Sequence, residues 1–183
     1  NQLRFNPDGS RFAFLHCWKS PSKGQWARLY SASPDGSGLR LLLDGGGVSH
    51  LSWRDPRTLL VWAELPKTGK GCYLVSETAG KAKAFGKGVL KRAGHGSFSP
   101  DRRYVVTDPA PERSDPVRRL FLYKVAEGDA VEIGSFRSPP EREEALACGL
   151  HPHWSRDGRK ICIDAAHRGT RQIYVVDVSR YTR

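Results

Sequence analysis

Four copies of one short pattern, an aromatic residue leading into an Asp-containing turn and then an apolar strand, predict an all-β fold. The expected architecture is a β-propeller fragment of about four four-stranded antiparallel blades, part of a larger propeller. The copies are QLRFNPDGSRFAF anchored at Phe5, HLSWRDPRTLLVW at Trp53, HGSFSPDRRYVV at Phe98 and LHPHWSRDGRK at Trp154. Their anchors lie 48, 45 and 56 residues apart (5 to 53, 53 to 98, 98 to 154), close to the roughly 40–50 residues of a four-stranded blade. Apolar alternation is short and β-like throughout, with no helical period. The blades fall at residues 1–46, 47–92, 93–149 and 150–183.

In the first blade FNPDGS is a turn and RFAFLHCW a strand carrying His16. WARLYSASPDGSGLRLLL then reads as two strands around an Asp-Gly hairpin turn, and DGGG at 44–47 is the linker to the next blade. The second blade reads VSHLSW, the turn RDPR, the strand TLLVWAEL, the turn PKTGKG, the strand CYLVS and a basic outer strand KAKAF. The third follows as GHGSFSPDRR, the strand YVVTD, the Pro-rich loop PAPERSDPVRR, the strand LFLYKV, the turn AEGD and the strand AVEIGSF. An insertion at 137–149, RSPPEREEALACG, lengthens the last spacing and delivers the chain to His151 by way of Cys148. Long loops of this kind collect binding groups. The last blade reads WSRDGRKICID, AAHRGTRQ and IYVVDVS, and stops short of a fourth strand.

Three positions before the anchors stand Gln2, His50, His95 and His151, so half of the six histidines occupy one repeated position. In a propeller such a position faces a shared channel. His153, two residues beyond His151, is expected on the same strand face. A histidine of this kind can also cap a turn or bond a neighbouring blade, but three in register favour a site.

Thirty Lys and Arg against nineteen Asp and Glu give a formal net charge of +11, which favours an anionic partner. The basic residues are scattered, from Lys81, Lys83, Lys87, Lys91 and Arg92 to Arg118 and Arg119. No arginine-rich helix or aromatic-studded motif accompanies them, so an acidic small ligand or polysaccharide is expected rather than nucleic acid. A solvated basic face is the plainer alternative. Cys17, Cys72, Cys148 and Cys162 form no CxxC pair and no dense framework, leaving the redox compartment open; Cys162 reads as a small core residue. No apolar run approaches the roughly 18 residues of a membrane helix. The chain starts within a motif and contains no Met, which suits a fragment whose remaining blades lie outside it.

Taken together, FLHCW with RLYSASPDG, SHLSW, GHGSFSPD leading to TDP, and LHPHWSRDGRK with DAAHRGTRQIYVVD resemble the oligogalacturonate lyase family of seven-bladed propellers. The resemblance extends over nearly the whole chain. It implies metal-dependent cleavage of short pectic oligogalacturonides by β-elimination, with manganese held by three histidines and a glutamine. By that resemblance His50 is the base, His95, His151 and His153 are metal ligands, and Arg28 grips the substrate, with His16 lining the same mouth. Cys148 stands where the family has its glutamine; a thiolate there would favour zinc over manganese. The chemistry suits these residues. A histidine removes the proton α to a uronate carboxylate, and the charge that builds on that carboxylate is met by a cation and an arginine. Two alternatives remain: a non-catalytic propeller of the Tol-system kind, acting as a binding or assembly module, and a propeller that filters substrates for a peptidase. No GxSxG nucleophile motif is present in the sequence.

Overall fold

Alternation of apolar and polar side chains, broken every few residues by Asp turns, builds a succession of antiparallel meanders. The computed structural model describes residues 2–20, 24–44, 47–111, 115–137 and 148–182. The centre of the DGGG linker, most of the insertion before Cys148 and the middles of the loops at 21–23 and 112–114 lie outside the described residues. Blade one is β1 (Arg4–Phe5), β2 (Phe12–Ser20), β3 (Gly24–Ala32) and β4 (Arg40–Asp44), side by side in chain order. Blade two follows the same plan with β5 (Ser49–Asp55), β6 (Thr58–Leu65), β7 (Gly69–Ser76) and β8 (Ala82–Phe85). Blade three contains β9 (Gly96–Phe98), β10 (Tyr104–Thr107), β11 (Val117–Lys124) and β12 (Asp129–Arg137). Blade four has three strands, β13 (His153–Trp154), β14 (Lys160–Ala165) and β15 (Gln172–Asp177). The described residues form no helix, so none is long and apolar enough to cross a membrane.

The turn that follows each anchor is held by its own aspartate. Asp8 Oδ1 accepts the Ser10 N–H at 2.9 Å, Asp101 Oδ1 accepts the Ser99 hydroxyl at 2.6 Å, and Asp157 Oδ1 accepts the Ser155 hydroxyl at 2.6 Å. An aspartate that bonds the backbone or a side chain two residues away closes the chain locally. Hydrogen bonds from the neighbouring serines hold the Asp8 and Asp157 carboxyls below the usual range. The residue after each of these aspartates takes a left-handed conformation: Gly9 at φ 72°, Arg102 at 62° and Gly158 at 68°. Blade three thus places an arginine where two other blades use glycine, at a cost of about 1–2 kcal/mol.

Two compact units result, residues 1–93 and 94–183, each holding two blades. In the first, Ala13, Leu15, Ala27 and Leu29 of blade one pack with Leu51, Leu59, Val61, Tyr73 and Val75 of blade two. In the second, Tyr104, Val106, Leu120 and Leu122 of blade three pack with Leu150, Ile161 and Ile163 of blade four. The anchors join each pair of blades in the same way. Trp53 Nε1 donates to the Arg4 carbonyl at 2.9 Å and Trp154 Nε1 to the Ser97 carbonyl at 3.0 Å, in both cases to the residue just before the preceding anchor. Trp154→Phe keeps an aromatic ring but removes the donor and part of the indole's packing against the core. Chemical denaturation should show a loss of about 1–3 kcal/mol.

Cys162 departs from expectation. It is half-buried on the face of β14 opposite the core residues Ile161 and Ile163, because alternation turns it away from blade three. All four cysteines are free thiols, and burial pushes the Cys72 thiol up to about 11.

Candidate functional site

The repeated position before each anchor is marked by its backbone. Gln2, His50 and His151 have φ values of 53°, 45° and 43°, the left-handed region that non-glycine residues adopt at a cost of about 1–3 kcal/mol. Sharing that conformation makes these three residues structural equivalents, as their spacing predicts. His95 reaches the same station differently: it follows Gly94, where a Cβ would stand 2.7 Å from the Asp108 carbonyl oxygen.

In the second unit His95 and His151 come together, their rings edge to face with centroids 4.1 Å apart. Asp108, one residue beyond β10, organises them. Its Oδ1 accepts the His95 backbone N–H at 2.6 Å and its Oδ2 the His151 backbone N–H at 3.0 Å, while His95 Nδ1 lies 3.1 Å from both oxygens. His151 Nδ1 lies 3.3 Å from Asp164 Oδ2, which also accepts from Arg171 at 3.2 Å. Each imidazole therefore directs Nδ1 at a carboxylate, which makes Nε2 the basic nitrogen when the ring is neutral. Gly149 lies against the pair: a Cβ there would stand 3.3 Å from His151 Nε2 and 3.4 Å from His95 Cε1.

Burial acts to raise the Asp108 carboxyl, but the His95 hydrogen bond and charge and the two backbone N–H donors outweigh it and hold the group below the usual carboxylate range. A depressed folded value means that Asp108 stabilises the fold above the unfolded value of about 3.9 and loses that contribution as pH falls through its folded value. Unfolding free energy should therefore fall as pH drops below about 4 in wild type, and fall less in Asp108→Asn.

The other expected site residues are distributed as follows. Cys148 is half-buried; burial raises its thiol, Arg171 and Arg118 act to lower it, and Asp164 raises it. His153 is exposed on β13, opposite Cys162. The shared strand face expected for His151 and His153 is not formed, because β13 begins only at His153 and the left-handed turn at His151 breaks the alternation. His50 Nδ1 lies 2.9 Å from the Ser49 hydroxyl. His16 and Arg28 are cross-strand partners on blade one: Arg28 bonds Asp44 at 2.8 Å and lies 5.0 Å from the Trp18 ring, and the His16 ring lies tilted against Trp18 at 5.1 Å.

A metal ion is the cofactor that the sequence resemblance implies. Among the described residues no three or more His, Cys, Asp or Glu side chains are grouped to hold one. His95 and His151 have the outer-shell carboxylates usual for metal-bound histidines, but Cys148 and His153 do not complete a donor set with them. The arrangement as it stands is a pair of imidazole bases and does not fit the ion.

Asp108 and Asp164 were not singled out from the sequence, although a signal was present. Each stands thirteen residues after its histidine, in two successive blades. The first unit also has a cavity of about 300 Å³, with Arg11, Arg40, Arg57 and Glu77 among its lining residues. There Glu77 pairs with both Arg11 and Arg40.

No family model and no curated protein sequence matches the chain. Solved structures do. An oligogalacturonate lyase in complex with manganese is 18% identical with a TM-score of 0.69, over 97% of this chain and 48% of that one. The oligogalacturonate lyase of Vibrio parahaemolyticus is 15% identical with a TM-score of 0.72, over 100% of this chain and 50% of that one. TolB of Acinetobacter baumannii is 12% identical with a TM-score of 0.71, over 97% of this chain and 41% of that one. The chain spans half or less of the length of these structures. The likeness establishes the fold, that of β-propeller blades, and is as strong to TolB as to the lyases.

Proposed function

We propose that the chain is the histidine-bearing part of a propeller that binds short acidic oligosaccharides, oligogalacturonates by resemblance, and cleaves them by β-elimination. The observation that carries this reading is the buried carboxylate of Asp108, which holds His95 and His151 together through two backbone bonds and fixes the His95 ring. A buried carboxylate on Nδ1 orients an imidazole and stabilises the imidazolium formed when Nε2 takes a proton. In the proposed step His95 Nε2 removes the proton α to the uronate carboxylate. The C–H electrons become the new double bond, the glycosidic C–O bond breaks, the departing oxygen takes a proton from water, and His95 returns its proton to solvent. Positive charge from Arg171, which Asp164 holds beside His151, meets the charge developing on the substrate carboxylate. Resemblance nominates His50 as base, whereas a fixed tautomer favours His95. No step is routed through a metal ion.

A non-catalytic binding propeller is the second reading, favoured by the equal likeness to TolB. Incubating full-length protein with digalacturonate, with and without manganese and chelator, separates the two. An unsaturated uronate product, identified by its ultraviolet absorbance and mass, supports the lyase; bound but intact substrate supports the binding module.

A further inference from the structure

We propose that the cavity between the turns of blades one and two is a binding site for a small oxyanion, a phosphate or a carboxylate. It holds about 300 Å³, and its lining includes Asp8, Arg11 and Arg40 of blade one and Arg57, Glu77 and Thr78 of blade two. Its walls are tied to one another. Asn6 Nδ2 donates to the Pro56 carbonyl at 3.1 Å, the Glu77 N–H to the Arg57 carbonyl at 2.9 Å, and Arg40 Nη1 to both Glu77 oxygens at 2.9 and 2.8 Å. The site belongs to the first unit and needs no lyase activity.

The floor of the cavity departs from the blade repeat. Just before the second strand of each blade stands an arginine: Arg11, Arg57, Arg103 and Arg159. In blades two, three and four its carbonyl accepts the N–H of the residue that follows the third strand, which is Glu77, Val125 and Val178. Where two blades place valine, blade two buries a carboxylate that is 4% exposed. Replacing a buried ion pair by apolar residues is often neutral for stability, so stability alone does not account for Glu77. Its effect is to fix Arg40 at the mouth.

The mouth has donors to spare. Arg57 is exposed, and its guanidinium meets no acceptor among the described residues. Arg40 is 46% exposed and gives only Nη1 to Glu77. Arg11 is committed to Ser31, Ser33 and Gly38 and supplies charge alone. Asp8 turns its Oδ1 to the N–H and hydroxyl of Ser10. Three arginines against Asp8 and Glu77 leave one positive charge in excess. A guanidinium fork matches two oxygens of a phosphate or carboxylate, and two such forks open on this cavity.

The test is calorimetric titration of full-length protein with inorganic phosphate and, separately, with galacturonate, at constant ionic strength. Wild type is expected to bind at least one of them saturably, and Arg57→Gln to bind it about tenfold or more weaker. Arg57 has no side-chain bond to lose among the described residues, so the variant should fold as wild type does. Arg159→Gln removes the same charge at the same station of another blade and is expected to keep wild-type affinity. Tighter Arg57-dependent binding of phosphate assigns a phosphorylated ligand, and of galacturonate a sugar acid. No saturable binding by wild type, wild-type affinity in Arg57→Gln, or an equal loss in Arg159→Gln would overturn the site.

Discussion

Glu77→Ala is expected to destabilise the first unit by about 3–5 kcal/mol, seen as a lowered midpoint of chemical denaturation. The carboxylate is 4% exposed and joins two blades: Arg40 Nη1 bonds both of its oxygens at 2.9 and 2.8 Å, and the Ser31 hydroxyl donates at 2.9 Å. Arg11 Nε lies 2.8 Å from Oε1, an ion contact in which the N–H is not aimed at the oxygen. Three residues of blade one thus converge on one residue in the turn between β7 and β8 of blade two. Removing the carboxylate strands Arg11, only 13% exposed, beside the open hydroxyl of Ser31. A loss below about 1 kcal/mol would mean that solvent or the Asp8 side of the cavity replaces the pair.

His95→Gln should lower turnover by about 10²–10⁴-fold, the usual contribution of a positioned base, with little change in stability. Glutamine fills similar space and can still donate to Asp108, but it has no basic nitrogen. His50→Gln is the matched comparison. His95 rests on a buried carboxylate, so the loss at His50 is expected to be the smaller of the two. The reverse order, measured in the same uronate assay, would return the base to His50.

Blade architecture was legible because it is periodic. Trp53 and Trp154 recur with their turns, and the Asp that closes each turn acts within two residues of itself. The repeated histidine station was legible for the same reason; the left-handed backbone that His50 and His151 share there was not. What depends on distant partners was not. Glu77 stands in an ordinary SETAG turn, and its partners are 37 to 66 residues earlier. Asp108 bonds His151 across 43 residues. The face of His153 was misread because alternation was counted through a residue that is not in a strand. No local pattern announces where a ladder will begin, since His151 owes its conformation to tertiary contacts, among them the Asp108 bond to its N–H.

The most direct measurement is the rate of unsaturated-uronate formation from digalacturonate by wild type and by Asp108→Asn. Asparagine keeps the shape of the group that joins the two histidines, removes its charge and leaves one acceptor for the two backbone N–H groups. Product is expected from wild type and a loss of about 10²-fold or more in the variant, with the fold intact by circular dichroism. No unsaturated product from wild type, or a variant as fast as wild type, would contradict the proposed step.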